Sequence, residues 1–158
     1  KNYNYKTLIP CNLYGPGDTF NENKSHLISA AIMKIHNAKI KRSKSIKIWG
    51  TGKVKREFLY SEDLANFVNF TLKNYNKIPN FINVGTDTNL TVIDYYKLIC
   101  SVLNYYPEFK FDTSKPDGVY QKKLDTKLQK NLKWKNKIGI KLGIKKTYEF
   151  YLKNYEKN

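Results

Sequence analysis

The chain has 158 residues, of which 41% are hydrophobic and 15% aromatic, a composition typical of a globular protein and not of a disordered segment. It contains no run of about 18 apolar residues, which excludes a predicted transmembrane helix. Cys11 and Cys100 are its two cysteines, and their separation indicates neither a metal motif nor a disulfide framework. We therefore expect a cytoplasmic protein without a bound metal. The first residues, KNYNYKTLIP, contain neither an initiator methionine nor an apolar signal core, so we expect them to continue a longer polypeptide.

The formal net charge of +16 raises the hypothesis of a module that binds nucleic acid or another polyanion. However, the basic residues are spread along the whole chain, and only Arg42 and Arg56 are arginines. Solvated surface lysines explain such a charge, and no recognised nucleic-acid motif is present. We expect no nucleic-acid partner, and the polyanion-binding module stays as the alternative from a different functional class.

The first third of the chain predicts a strand, a loop and a helix. Residues 5–10 (YKTLIP) predict a buried strand ended by its proline. Residues 11–25 predict a loop rich in glycine, proline and asparagine, a kind of segment that often carries function. Ser25 is the predicted N-cap of a helix over residues 26–39. Four apolar residues at helical spacing form its predicted buried face: Leu27, Ala31, Ile32 and Ile35.

The middle of the chain predicts two strands around a glycine turn, and then a helix. Residues 45–49 (SIKIW) and 54–60 (VKREFLY) are the strands, and GTGK between them predicts a tight hairpin turn. Ser61 is the predicted N-cap of a helix over residues 61–75, whose first turn carries acidic residues that the helix dipole favours. Its predicted buried stripe is Leu64, Phe67, Val68 and Leu72.

The last part of the chain continues the alternation of strands and helices, which indicates an α/β or α+β organisation. Because the strands are few and short, they predict a small mixed sheet with helices and not a complete doubly wound sheet. Thr91 is the predicted N-cap of the first helix in this part. In chain order the predicted elements are strand 81–85, helix 92–106, strand 108–112, loop 113–123, helix 124–132 and helix 143–157.

Three stretches occur in a diagnostic order: NLYGPGDTF followed by SHLI, then WGTGKVKREFLYSEDLA, then FINVG, with DTSKPDG and KKLD after them. Together they resemble the C-terminal half of the extended short-chain dehydrogenase/reductases. Within that superfamily they most resemble the GDP-L-fucose synthases, epimerase-reductases that act on GDP-4-keto-6-deoxymannose. The resemblance implies an α/β fold in which residues 1–25 are the tail of the cofactor-binding domain and residues 26–158 the substrate-binding domain.

Two motifs of that superfamily are not found in these 158 residues: the glycine-rich dinucleotide turn and the catalytic Tyr-x-x-x-Lys helix. A formal match at Tyr106 and Lys110 contains a proline and runs into a predicted strand, so we discount it. The resemblance therefore implies a largely absent Rossmann core, with most NADP contacts on the other half of the complete enzyme. We expect the complete enzyme to be a homodimer, and this chain alone to be inactive and compatible with a monomer.

Arg56 is the first candidate site residue. A guanidinium can bind a diphosphate through two parallel hydrogen bonds, which an ammonium group cannot do. The resemblance places Arg56 on the pyrophosphate of the nucleotide-sugar, and the alternative is a surface arginine paired with Glu57 or Asp63. Trp49 is either a contact to the base or ribose, as the resemblance implies, or a half-buried core residue.

His26 is the candidate catalytic residue. The implied reaction removes a proton beside a ketone and returns one to the opposite face before NADPH reduces the ketone. An imidazole, which titrates near neutrality, suits the return of the proton. The resemblance also implies that His26 contacts the cofactor and acts with a cysteine of the other half, which is not Cys11. The alternative is a helix-start histidine without a catalytic role, and His36 is predicted to lie at the surface.

Two further sets of residues take their roles from the resemblance alone. Lys34 stands where the family has an arginine, and Lys123 could take the place of Lys122. Because the sugar contacts lie partly on the other half, an epimerase or dehydratase for another nucleotide-sugar, including a heptose, stays an alternative. The implied contacts to the nicotinamide end of the cofactor are Pro10, Asn12 and Leu13. The implied contacts to the GDP-sugar, besides Trp49 and Arg56, are Lys34, Asp117 and Lys122.

Overall fold

A computed structural model describes residues 4–21 and 24–156 of the chain. In these residues the α/β organisation is confirmed, and no helix is both long and apolar enough to cross a bilayer. The helices are α1 (Leu27–Ile40), α2 (Ser61–Lys73), α3 (Val92–Leu103), α4 (Lys127–Asn131) and α5 (Ile140–Tyr155). The strands are β1 (Thr7–Pro10), β2 (Asn12–Tyr14), β3 (Ser45–Trp49), β4 (Lys55–Arg56), β5 (Phe58–Tyr60), β6 (Phe81–Val84), β7 (Leu90–Thr91), β8 (Glu108–Asp112) and β9 (Gln121–Lys122).

The strands pair as small, mostly parallel ladders. β1 pairs with β6, β2 with β5, and β3 with β8, each in parallel. β4 lies between β7, to which it is antiparallel, and β9, to which it is parallel. The predicted hairpin around the GTGK turn is therefore wrong. The turn carries the chain from the β3–β8 ladder to the β7–β4–β9 ladder, and Gly50 and Gly52 adopt the φ values of 72° and 73° that only glycine takes without strain.

The predicted single strand over residues 54–60 is two strands, β4 and β5, separated at Glu57. The side chain of Glu57 is completely buried. One carboxylate oxygen accepts hydrogen bonds from the backbone N–H groups of Thr86 and Asp87, both at 2.8 Å. The other accepts from the N–H of Leu124 at 2.9 Å. Because the chain changes ladder at this residue, its carboxylate joins three segments that are distant in sequence.

The main hydrophobic core lies where α1, α3 and α5 pack together and against β3. The predicted buried face of α1 is confirmed, since Ala31, Ile32 and Ile35 are completely buried and Leu27 is half-buried. A second cluster joins β1 and β6 to α2 through Leu59, Phe67, Ile82 and Val84 among others. The predicted domain division after residue 25 stays a prediction.

Two of the three predicted helix caps are wrong by one residue. His26 occupies the N-cap position of α1, while the Ser25 hydroxyl lies within hydrogen-bond distance of backbone groups of the preceding loop. Ser61 is the first residue of α2, and Tyr60 is at the N-cap position. The predicted cap of α3 is confirmed: Thr91 forms a reciprocal capping box with Asp94.

Three predictions of burial are wrong for the same reason, which is that tertiary neighbours decide burial. His36 is buried, because α5 covers the face of α1 on which it lies. Val68 and Leu72 are 41% and 66% exposed, since α2 buries the stripe that contains Phe67 instead. β1 is mostly exposed, because within the described residues it pairs with β6 alone.

Candidate functional site

A cavity of about 550 Å³ opens between the start of α1, the β3–β4 turn and the β8–β9 loop. This volume lies within the range of about 300–1,000 Å³ that is typical of small-molecule sites. The polar and charged residues around it come from elements that are distant in sequence. The predicted site residues that line it are Asn12, His26, Lys34, Trp49, Arg56 and Asp117.

Arg56 lies at the wall of this cavity, and backbone groups hold it. Its Nη1 donates to the carbonyl oxygens of Lys55 and Val119, both at 2.8 Å. Its Nη2 is 3.4 Å from the carbonyl oxygen of Asp117. The Tyr95 hydroxyl donates to the carbonyl of Arg56 at 2.9 Å and so supports the strand from beneath. The guanidinium is therefore oriented before any ligand arrives.

Neither carboxylate proposed as an alternative partner pairs with Arg56. Glu57 accepts only the backbone N–H groups described above, and Asp63 accepts the backbone N–H groups of Lys137 and Ile138 at 2.8 and 2.9 Å. Among residues 4–21 and 24–156, no carboxylate lies within salt-bridge distance of the guanidinium. The positive charge at the cavity wall is thus available to an anion.

Trp49 lies at the rim and is 58% exposed, so it is not a core residue. Lys34 Nζ lies 5.2 Å from the centre of an indole ring face, and Lys115 Nζ lies 5.9 Å from it. Lys34 also donates to the carbonyl oxygen of Lys47 at 3.1 Å. An exposed aromatic face flanked by cations is suited to a flat, anionic ligand.

Asp117 lines the cavity and also holds two of its loops together. Its carboxylate accepts hydrogen bonds from the backbone N–H and the hydroxyl of Thr51, which lies in the β3–β4 turn. These bonds lower the pKa of Asp117 below its ordinary value of 3.8, the Thr51 hydroxyl being the largest cause and Arg56 a smaller one. Asp117 therefore joins the two loops that border the cavity.

His26 is exposed at the start of α1 and makes no side-chain cap. The loop before it is tied to the helix, because Asp18 accepts a hydrogen bond from the buried hydroxyl of Ser29. The imidazole thus lines the cavity from a fixed backbone position and is open to a ligand or to water.

The residues predicted to contact the cofactor lie at different places in the structure. Pro10 and Asn12 line a smaller cavity of about 90 Å³ together with Lys122, and Asn12 lines the larger cavity as well. The Asn12 amide donates to the carbonyl oxygen of Glu57 at 2.9 Å. Leu13 is partly buried against the second core cluster. Lys122 does not line the larger cavity.

Cys11 and Lys123 also line the smaller cavity. Burial, with a smaller contribution from Glu57, raises the pKa of the Cys11 thiol to about 12, so the thiol stays protonated at neutral pH. Lys122 and Lys123 both line this cavity, and Lys123 is ion-paired with Asp87 at 2.7 Å.

Sequence reasoning missed the residues that support the site: Thr51, Glu57 and Tyr95. An acidic residue directly before the apolar run FLY in a predicted strand could have singled out Glu57. Nothing local distinguishes Thr51 or Tyr95, whose partners are far away in sequence. In the part of the chain that the structure describes, no three or more His, Cys, Asp and Glu side chains are grouped to hold a metal ion.

A protein-family model described as the NAD dependent epimerase/dehydratase family matches residues 1–85. GDP-L-colitose synthase of Yersinia pseudotuberculosis is 45% identical over 156 residues, which cover 99% of this chain and 50% of that relative. GDP-L-fucose synthase of Azorhizobium caulinodans is 40% identical over 155 residues, 98% of this chain and 50% of the relative. The resemblance inferred from the motifs is thereby confirmed, and the chain spans about half the length of these curated relatives.

The fold is also that of solved GDP-sugar enzymes. A GDP-6-OMe-4-keto-L-xylo-heptose reductase from C. jejuni superimposes with a TM-score of 0.86 at 31% identity, over 95% of this chain and 54% of the reductase. Related GDP-L-fucose synthases bind NADP, as in the solved synthetase of Naegleria fowleri.

Proposed function

Because the chain belongs to the NAD dependent epimerase/dehydratase family, we propose that it is the substrate-binding half of an NADP-dependent epimerase-reductase that acts on a GDP-linked sugar. The observation that carries this proposal is the cavity in which Arg56, Lys34 and His26 meet. A fixed cation without a carboxylate partner, an aromatic rim and a titratable side chain are what a nucleotide-sugar enzyme needs in one place.

The nucleotide is bound by the cations at the mouth of the cavity. Arg56 takes the diphosphate, because its guanidinium is already oriented by backbone carbonyls and loses little freedom on binding. Lys34 adds a second positive charge beside the indole of Trp49, which covers the ribose or the outer part of the base. Asp117 contributes by holding the turn that carries Trp49 and the strand that carries Arg56 in one arrangement.

The sugar lies at the His26 end of the cavity. When bound, NADPH supplies the hydride that reduces the sugar ketone. Asn12 lines both cavities, so the residues at the ends of β1 and β2 fit the nicotinamide end of that cofactor, with Pro10, Asn12 and the backbone of Leu13 as its contacts. His26 returns a proton to the carbon beside the ketone, since an exposed imidazole at the cavity edge can exchange protons with water.

The roles divide along the chain as the sequence suggests. Residues 1–25 belong to the tail of the cofactor-binding domain, and residues 26–158 form the substrate-binding domain. Lys122 contacts the nucleotide from the smaller cavity, since its neighbour Lys123 is ion-paired with Asp87 and Lys122 forms no ion pair with the described residues. The dinucleotide cradle and the tyrosine that protonates the reduced oxygen come from the other half of the complete enzyme.

The test uses the complete enzyme with NADPH and GDP-4-keto-6-deoxymannose, and follows oxidation of NADPH. We expect His26→Asn to lower the turnover number roughly 10²–10⁴-fold, because general acid catalysis is lost, while substrate binding is retained. Lys24→Ala, at an exposed position in the same loop, is the matched control and leaves turnover unchanged. An unchanged rate for His26→Asn would remove the catalytic role, and a failure to oxidise NADPH with any GDP-4-keto sugar would overturn the proposed activity.

A further inference from the structure

The inner end of the large cavity differs chemically from its mouth. Of the residues that line the cavity, His26 and Trp49 are exposed, so we place the opening there, whereas most of the aliphatic lining residues are buried and form the inner wall. Tyr96, in α3, is a buried lining residue with a polar group. The aliphatic members of this wall are Ala30, Met33, Ile48, Val54 and Val92.

Tyr96 is a buried tyrosine of the cavity lining whose hydroxyl has no hydrogen-bond partner within the described residues. The buried Tyr60 and Tyr151 also make no hydroxyl hydrogen bond there, but they do not line this cavity. The side chain of Tyr96 is 3% exposed. Within the described residues its hydroxyl makes no hydrogen bond, whereas the hydroxyls of Tyr95 and Tyr105 donate to backbone carbonyls at 2.9 and 2.6 Å. Buried hydroxyls normally have a partner, so an unpartnered one that lines a cavity indicates a missing ligand atom.

The hydroxyl can be reached from the cavity and is present as a donor. The described side-chain oxygens that are fully enclosed without a partner belong to Thr71 and Asn89, and the Tyr96 hydroxyl is not among them. Burial raises the pKa of the Tyr96 phenol far above its ordinary value, so the group is protonated at every physiological pH. The ring is held by edge-to-face contact with Phe109 at 6.0 Å between centroids.

The position of the cations decides which part of a nucleotide-sugar can reach this hydroxyl. Arg56 and Lys34 lie at the mouth and take the diphosphate there, and His26 lies at the edge where the sugar is placed. The base is then left to contact the inner apolar wall. Removal of its flat faces from water is favourable, but the polar groups on its edge still need hydrogen-bond partners.

Resting on the proposed function, we propose that the Tyr96 hydroxyl donates a hydrogen bond to an acceptor on the edge of the purine base, and that it makes the site prefer guanosine over uridine diphosphates. A purine extends further from the ribose than a pyrimidine and carries carbonyl and ring-nitrogen acceptors on its far edge. A uracil bound by the same diphosphate contacts is too short to reach the inner wall.

The experiment is a calorimetric titration of GDP and of UDP into the 158-residue chain, for the natural sequence and for Tyr96→Phe. The substitution removes one oxygen atom and leaves the ring contacts in place. We expect the dissociation constant for GDP to rise about 3- to 10-fold, which corresponds to the loss of one ordinary hydrogen bond, and the constant for UDP to change less than about 2-fold. The matched control is Tyr105→Phe, which also loses a hydroxyl, lies outside the cavity lining and leaves both constants unchanged.

The outcomes separate this inference from the proposed function. If Tyr96→Phe leaves the dissociation constant for GDP unchanged, or weakens the binding of GDP and UDP equally, the role of Tyr96 is overturned while the proposed function stands. If the natural chain binds neither GDP nor a GDP-sugar at millimolar concentration, the proposed function of this cavity and the role of Tyr96 fall together.

Discussion

Asp117 accepts two hydrogen bonds from Thr51, one from its backbone N–H and one from its hydroxyl, both at 2.7 Å. The two residues lie on the two loops that border the candidate site, the β8–β9 loop and the β3–β4 turn. The backbone carbonyl of Asp117 also faces the Arg56 guanidinium. One aspartate thus joins the turn after Trp49 to the arginine that is proposed to bind the diphosphate, and the site depends on this junction.

Gly50→Ala tests the junction. Gly50 has a φ of 72°, and a methyl group there would collide with Asp117 Oδ1, so the carboxylate must move away from Thr51. Gly17 has a φ of 86° with open space around it, so Gly17→Ala measures backbone strain alone, about 1–2 kcal/mol. We expect urea denaturation to show a larger loss of unfolding free energy for Gly50→Ala than for Gly17→Ala. Equal losses would show that the contact with Asp117 contributes nothing.

Arg56→Ala tests the diphosphate contact. Charge-assisted hydrogen bonds contribute about 1.5–3 kcal/mol each, so we expect GDP to bind roughly 10- to 100-fold more weakly. Arg56→Lys restores only part of the loss, because an ammonium group cannot form the two parallel bonds. Arg42→Ala is the control, since Arg42 is the other arginine of the chain and lies outside the cavity. Calorimetric titration at two salt concentrations measures these constants. Salt-sensitive binding that all three variants share would favour a non-specific polyanion surface.

Glu57→Gln tests the buried carboxylate between β4 and β5. The amide retains one acceptor oxygen, so the N–H groups of Thr86, Asp87 and Leu124 can no longer all be satisfied. We expect the free energy of unfolding to fall by about 2–4 kcal/mol, since each buried donor without an acceptor costs about 1–3 kcal/mol.

The matched control for this measurement is Glu62→Gln. Glu62 is 57% exposed and lies 3.5 Å from Lys146, and an exposed pair of this kind contributes at most about 1 kcal/mol. Urea denaturation of both variants gives the comparison. Similar small losses for the two glutamates would contradict the idea that Glu57 joins three segments of the fold.

His36 predicts a dependence of stability on pH. Burial lowers the pKa of its imidazole below 6.5, with a smaller contribution from Lys39 that Glu156 opposes. The unfolded chain therefore binds the proton more readily than the folded chain. The contribution of His36 to the free energy of unfolding is therefore fully present above pH 6.5. It is lost as the pH falls below that value through the folded-state pKa.

Thermal unfolding of the natural chain and of His36→Phe between pH 5 and pH 8 measures this effect. The phenylalanine keeps the aromatic contacts with Tyr148 and Tyr151 but cannot take up a proton. We expect the midpoint of the natural chain to fall more steeply below pH 6.5 than that of the variant. Parallel curves would show that other groups cause the acid sensitivity.

The sequence by itself determined those elements whose causes lie within a few residues. The alternation in SIKIW and EFKFD predicts β3 and β8 at their observed bounds, and the spacing of Ala31, Ile32 and Ile35 predicts the buried face of α1. The cap at Thr91 depends on Asp94 three residues later. The order of the motifs was sufficient to identify the family, because the motifs contain residues that the site requires. It did not show how those residues come together in space.

Only the tertiary structure decided which strands pair, which loops join and which side chains are buried. The break of the strand at Glu57 depends on amides that lie 29 to 67 residues away. The burial of His36 depends on α5, and the exposure of Trp49 on the way in which β3 joins β8. These outcomes follow from contacts between distant segments, whose energies appear only when the chain is folded, so no local pattern could predict them.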